Sequence, residues 1–263
     1  MHEAVVGAAL VTGASSGLGA EYARQLAARG YDLILVARSQ DRLEALATEL
    51  RAVPGARVEV IRADLAEPGA GLALAARVEA LGWPVAMLVN NAGFGVAGHS
   101  AALDPARLQQ MITLNCATLV ELTQAFLPAM LARRAGAIIN VASLAGFQPM
   151  PYMAVYGATK AFVLSYTEAL WAETRERGLR CLAVCPGPVD TPFFEAAGGS
   201  HLRQAVPPAL MARPADVVAR SLRALDRGCT TLVPGLANRM VAMLPRLLPR
   251  HWLAASTARV MRR

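Results

Sequence analysis

The chain has 263 residues, enough for one ordinary α/β domain with a sizeable core. Hydrophobic residues make up 55% and mean hydropathy is +0.37; still, uncharged stretches such as 135–159 are broken by Gly, Pro, Asn, Ser and Gln, which argues against a transmembrane helix and for a sheet buried on both faces. The net charge of +7 is local: residues 227–263 hold seven arginines and no acid, the rest balances nineteen basic residues against nineteen acidic ones, and this excludes a uniform basic face for nucleic acid.

The opening MHEAVVGAALVTG has no basic n-region and runs straight into a strand, so no leader is expected and the protein is placed in the cytoplasm. Cys116, Cys181, Cys185 and Cys229 lack CxxC spacing and read as reduced, buried thiols. His2, His99, His201 and His251 show no metal-ligand spacing, so no metal site is expected, and His201 reads as solvated.

In chain order, AALVT (8–12) is a first strand and 17–29 a helix. DLILVA (32–37) leads to a charged helix at 40–51, and RVEVIRA (57–63) to a helix ending near Leu81. VAMLVN (85–90) precedes a long helix at 105–133, and AIINVAS (137–143) another at 155–177. RCLAVCP (180–186) precedes an irregular Pro- and Gly-containing stretch and a helix from Pro214; TTLVPG (230–235) is a last strand. The alternation predicts a single doubly wound parallel sheet over residues 1–235, helices on both faces, with ligands beyond the carboxyl ends of the strands. Residues 236–263 form a basic helical tail.

Gly13, Gly17 and Gly19 fall between the first strand and its helix. Glycines there let the backbone approach a pyrophosphate, which the helix N-terminus then attracts; the plain alternative is a glycine-rich turn. The second strand ends in Arg38 and Ser39, where a cofactor with a free 2′-hydroxyl would usually meet an acid, so NADP(H) is expected over NAD(H). Asp64 suits either a helix cap or an adenine contact. Asn90, Asn91, Ala92 and Gly93 combine polar groups with small residues at the fourth strand's end.

Tyr156 and Lys160 are four apart on a helix and share a face. Lys160 is the only lysine in the chain. A phenol ionises near pH 10, and a neighbouring ammonium lowers that value. A lysine kept among 25 arginines points to a site where a planar guanidinium will not serve. Ser143 ends the fifth strand, where its hydroxyl can hold a carbonyl oxygen beside the phenol or simply cap a turn.

Together TGASSGLG (12–19), NNAG (90–93), Asn115, Ser143, Tyr156, Lys160 and PGPVDTP (186–192) resemble the short-chain dehydrogenase/reductase family, in its compact single-domain subgroup. The resemblance covers residues 8–193. It implies a Rossmann-type fold of about seven strands and hydride transfer between a nicotinamide and a carbonyl or alcohol. It also implies site roles. Ser143 orients the substrate oxygen, Tyr156 exchanges a proton with it, Lys160 lowers the tyrosine pKa and holds the nicotinamide ribose, and Asn115 positions a water in the proton relay. The cofactor set becomes Gly13, Ser15, Ser16, Gly17, Leu18, Gly19, Arg38, Ser39, Asp64, Leu65, Asn91, Ala92, Gly93, Tyr156, Lys160, Pro186, Gly187, Val189 and Thr191. Family likeness further implies a homodimer or homotetramer built through the two long helices.

The variable loops carry specificity in that family, here 94–99, 144–153 and about 188–213. They are rich in Phe, Met, Pro and Ala, and predict an apolar pocket from Phe94, Ser143, Leu144, Met150, Met153, Tyr156, Phe193 and Phe194. Steroid-like, fatty β-ketoacyl and aryl ketones all fit. The alternatives are a non-catalytic NADP-binding sensor, or a reductase of carrier-bound chains. The tail reads as an arm packed on its own body or on a partner subunit in preference to a peripheral membrane contact.

Overall fold

The computed structural model describes residues 7–198, Arg203 and 211–261; His201 and much of the third specificity loop lie outside them. Seven parallel strands form one sheet: β1 (Ala8–Thr12), β2 (Asp32–Ala37), β3 (Val58–Arg62), β4 (Val85–Asn90), β5 (Gly136–Val141), β6 (Leu179–Val184) and β7 (Thr231–Leu232). Their order is β3-β2-β1-β4-β5-β6-β7, so the winding reverses between β1 and β4, which opens a crevice at their carboxyl ends.

Alternation along each strand sends neighbouring side chains to opposite helical layers. Val11, Leu33, Leu35, Val89, Ile139 and Leu182 meet α1 (Gly17–Ala27), α2 (Gln40–Arg51) and α8 (Pro214–Asp226) through Tyr22, Leu26, Leu43, Leu46, Val218 and Leu222. Leu10, Ile34, Val36, Ile61, Leu88 and Ile138 meet α3 (Ala70–Ala80), α5 (Thr118–Ala132) and α6 (Ala154–Thr174) through Leu74, Val78, Leu122, Phe126 and Leu170. Polar groups cross this second layer as a chain. Asn90 Nδ2 donates to Asn140 Oδ1 at 2.9 Å, and Asn140 Nδ2 donates to Thr167 Oγ1 at 2.9 Å.

The helix expected at 105–133 is present over Pro105–Ala132 but is not uniform. It divides into α4 (Pro105–Ile112), a π turn at Thr113–Ala117 and α5. The run Pro105–Ala132 has the length and apolarity to cross a membrane, contrary to expectation; here Met111, Leu119, Leu122, Phe126 and Met130 are core residues. β7 shrinks to two residues paired with Ala183 and Val184, with Pro234 two positions beyond. Cys181 and Cys185 are buried, Cys116 half-buried and Cys229 exposed, so the expectation of four buried thiols fails at Cys229. A short helix α7 (Phe193–Ala196) follows β6, and the tail forms α9 (Leu236–Leu247) and α10 (Arg250–Met261).

Candidate active site

One cavity of about 780 Å³ lies at the carboxyl edge of the sheet. The β1–α1 turn supplies Gly13, Ser15, Ser16, Gly17 and Leu18 to its wall. Gly13 sits at φ +66°, a left-handed conformation that favours glycine. Asn91 pins this turn, its Nδ2 donating to Thr12 O at 2.9 Å and Gly13 O at 3.3 Å. Thr12, to which no role was given from sequence, ties the two strand ends: its hydroxyl donates to Val89 O at 3.2 Å and accepts from Asn91 N and Ala92 N, both at 3.0 Å.

Gly19 does not line the cavity. It faces the turn from inside α1, where a Cβ would overlap the Gly13 carbonyl oxygen and stand 2.6 Å from Asn91 Nδ2. Gly19→Ala is expected to destabilise the fold by about 1–3 kcal/mol and to weaken nucleotide binding through the displaced turn. A urea midpoint and a nucleotide titration check both.

Arg38, Ser39, Asp64 and Leu65 line the adjoining wall, with Arg42 from the first turn of α2. Arg42 was not singled out from sequence; its signal is a second arginine four residues after Arg38. Arg38 Nη1 stands 3.9 Å from Asp64 Oδ2, both side chains exposed, a pair that is weak in water. Asp64 Oδ1 also accepts from Ala66 N at 3.0 Å, so this carboxylate shapes the turn and faces the cavity at once.

Ser143, Tyr156 and Lys160 come together on the same cavity. Ser143 follows β5, and its Oγ accepts from Ala145 N at 3.1 Å, which caps a short 3-10 turn. Tyr156 and Lys160 are one turn apart on α6 and both buried. Lys160 Nζ donates to Val141 O at 2.7 Å and lies 5.8 Å from the Tyr156 ring centroid. Burial pushes the phenol up to about 12, with the Ser143 hydrogen bond acting the other way. Burial pulls Lys160 down to about 8, opposed by Cys116 and Cys185. The expectation that Lys160 sets a low tyrosine pKa is therefore corrected: desolvation raises the phenol, and the group that acts against it is the Ser143 hydroxyl.

Asn115 lies in the π turn and is not on the cavity wall. Its Nδ2 donates to Phe94 O at 3.0 Å and Thr159 Oγ1 at 3.1 Å, and its Oδ1 accepts from Phe94 N at 3.2 Å. It joins the loop after β4 to α6 beside Tyr156 and Lys160.

Pro186, Gly187, Val189 and Thr191 continue the wall after β6, and Ala92, Gly93 and Asn91 after β4. Phe94, Phe193 and Phe194 supply the apolar end; Phe193 is 5.3 Å from the Tyr156 ring and 5.9 Å from Phe194. Leu144, Met150 and Met153 are not on this wall. Leu144 N is held by Pro186 O at 2.9 Å. Met150 fills the space a Cβ on Gly157 would need, and Met153 packs behind Gly95, Phe193 and Tyr156. Among the described residues, no group of three His, Cys, Asp or Glu is placed to hold a metal ion.

The donor set fits a dinucleotide: a glycine turn ahead of a helix N-terminus, with arginines on one side and a buried phenol and ammonium on the other, round a single cavity. A family model for short chain dehydrogenases matches residues 7–200. A short-chain dehydrogenase from Sphingobium yanoikuyae in complex with NADPH is 35% identical, with a TM-score of 0.82 over 95% of each chain. The 17-beta-hydroxysteroid dehydrogenase type 3 of Rattus norvegicus is 28% identical over 95% of this chain and 78% of its own length. The very-long-chain 3-oxoacyl-CoA reductase of Bos taurus is 33% identical over 70% of this chain, which spans only 62% of that reductase. The chain belongs to the short-chain dehydrogenase family. Its fold and family are those of an oxidoreductase that uses a nicotinamide cofactor on a ketone–alcohol pair.

Proposed function

We propose that the protein is an NADP(H)-preferring reductase of a bulky apolar ketone, or dehydrogenase of the matching secondary alcohol. The observation that carries this reading is one cavity that joins Arg38 and Arg42, the β1–α1 turn, Ser143, Tyr156 and Lys160, and the Phe94, Phe193 and Phe194 wall. The hydroxysteroid and very-long-chain 3-oxoacyl relatives support an apolar substrate.

A bound nicotinamide would supply or take the hydride. The Ser143 hydroxyl would donate to the substrate oxygen and hold it against the Tyr156 O–H. Tyr156 would give its proton to that oxygen in reduction and take one back in oxidation. Lys160, between Val141 O and the cavity, would hold the cofactor's ribose hydroxyls. Asn115 would act at one remove, by fixing Phe94 and Thr159 around this group. Two-arginine recognition of a 2′-phosphate at Arg38 and Arg42 would set the cofactor choice.

The test is turnover of aryl, steroid and β-ketoacyl ketones with NADPH and NADH. NADPH is expected to win in kcat/KM, and Arg38→Ala with Arg42→Ala to erode that preference by roughly 10–100-fold, the worth of charge-assisted hydrogen bonds of about 1.5–3 kcal/mol. A clear preference for NADH would overturn the cofactor reading and leave the fold untouched. A second copy would pack on α4–α5 and α6, whose Ile112 and Phe162 are exposed; light scattering of the purified protein decides this.

A further inference from the structure

A helix on a globular protein normally turns its apolar stripe to the core. α9 does the reverse. Leu236, Met240, Met243 and Leu247, spaced i, i+4, i+7 and i+11, are 78%, 72%, 55% and 74% exposed. At about 100° per residue they and exposed Leu244 form a face roughly 100° wide. The opposite face, with Asn238, Val241, Ala242 and Pro245, is the one turned to the body, and Ala242 is buried. Leu248 and Trp252 extend the apolar surface towards α10, Trp252 being 62% exposed. Arg239 and Arg246 run along one flank of the stripe and Arg250 opens the next helix, all exposed. No acid occurs anywhere in 227–263.

We propose that this face docks the protein on an anionic lipid surface. Charge and shape together select that occupant. A second copy meeting the first through the same face would set arginine against arginine with no acid in the segment to relieve them. A bilayer rich in acidic headgroups takes both features at once: the stripe enters the acyl boundary while the arginines meet phosphates and carboxylates. Leucine and flexible methionine demand no shaped partner pocket.

The helices that carry this surface also touch the cavity. Gly187, on the cavity wall, lies against Asn238 of α9, so that a Cβ there would come within 2.7 Å of its amide. Met261, at the end of α10, packs against the apolar cluster that includes Phe94, Met153 and Tyr156. Docking therefore brings the site beside the lipid in which an apolar ketone dissolves. That consequence rests on the apolar-substrate reading; the docking itself does not.

The experiment is co-flotation of the full chain with vesicles of phosphatidylcholine, with or without phosphatidylserine, at physiological salt. The protein is expected to float with the mixed vesicles and stay behind with the neutral ones. Met240→Glu with Leu247→Glu should abolish flotation, and Arg239→Gln with Arg246→Gln should weaken it about tenfold or more. Both variants should turn over a water-soluble ketone as the parent does, which shows that they are folded. A Tyr156→Phe variant should float while inactive, so failure of the reductase reading and failure of docking remain distinguishable. Three results would overturn the proposal: no flotation with the mixed vesicles, equal flotation of the glutamate variant, or glutamate-sensitive self-association or capture by an acidic carrier protein without flotation.

Discussion

Tyr156→Phe is expected to lower kcat for ketone reduction by roughly 10²–10⁴-fold, the usual worth of a positioned general acid, while NADPH still binds. The ring stays, so packing against Phe193 and Met153 is kept and only the O–H is lost. Steady-state kinetics beside a nucleotide titration measure both. The pH profile of the parent enzyme gives an independent check. Reduction needs the protonated phenol, and with its pKa pushed up to about 12 that form prevails through neutral and mildly alkaline pH. Oxidation needs the phenolate, whose share rises with every step of pH below 12. Alcohol oxidation should therefore climb from pH 6 to 9 while the phenol itself imposes no fall on reduction; a falling reduction limb in the parent that is absent from the residual rate of Tyr156→Phe would keep Tyr156 as the acid but contradict its raised pKa, and an oxidation rate that does not climb would contradict the assignment itself.

Lys160→Arg is the second large effect. The lysine is 6% exposed, its Nζ sits on Val141 O, and a Cβ on Gly93 would be only 3.5 Å from it. A guanidinium is wider, planar and always charged, so it cannot occupy this position without moving Gly93 and the cofactor wall. A loss of at least about 10²-fold in kcat/KM is expected. Lys160→Met should be equally inactive but better folded. Burial holds the lysine at about 8, below its unfolded value of 10.5, so at pH 7 the fold must keep a charge that the unfolded chain carries more cheaply. Each unit of that difference is worth about 1.4 kcal/mol, more than the ~1 kcal/mol lost with the Val141 hydrogen bond. The sign follows. The unfolded chain binds more protons between pH 8 and 10.5, so the parent gains stability there, and the methionine variant's advantage in Tm should be largest at pH 7 and shrink above pH 8. An advantage that grows with pH would show that the ammonium is not strained by burial.

The central strands were readable because both of their faces are covered: AALVT, DLILVA and VAMLVN are unbroken apolar runs, and the strands occupy those spans. Pro214 announced its helix because proline is at home in a first helical turn. The π turn at 113–117 had no such sign, since the hydrophobic period runs through it; it accompanies Asn115 bonds to Phe94 and Thr159, partners 21 and 44 residues away. The cavity residues at strand ends could be placed because the topology forces them to one edge. Leu144, Met150 and Met153 could not, because loop composition says that a residue is apolar but not which way it points. The same limit applied to α9. Its two-faced pattern was visible, and one side does pack on the body at Asn238 and Ala242 as expected of an arm; the outward turn of the stripe was not legible, because periodicity does not tell inward from outward.

The Asn90–Asn140–Thr167 chain has a consequence for alignment. Asn90 and Asn140 are direct partners across β4 and β5, and Thr167 stands two turns along α6 from Lys160. Sliding either strand by one residue would turn its asparagine to the far side of the sheet and leave buried amides unpaired. The chain thus works as a vernier set inside the core: the spacing between the strand-end loop at Asn91 and the helix that bears the phenol is gauged there, away from any surface a substrate touches.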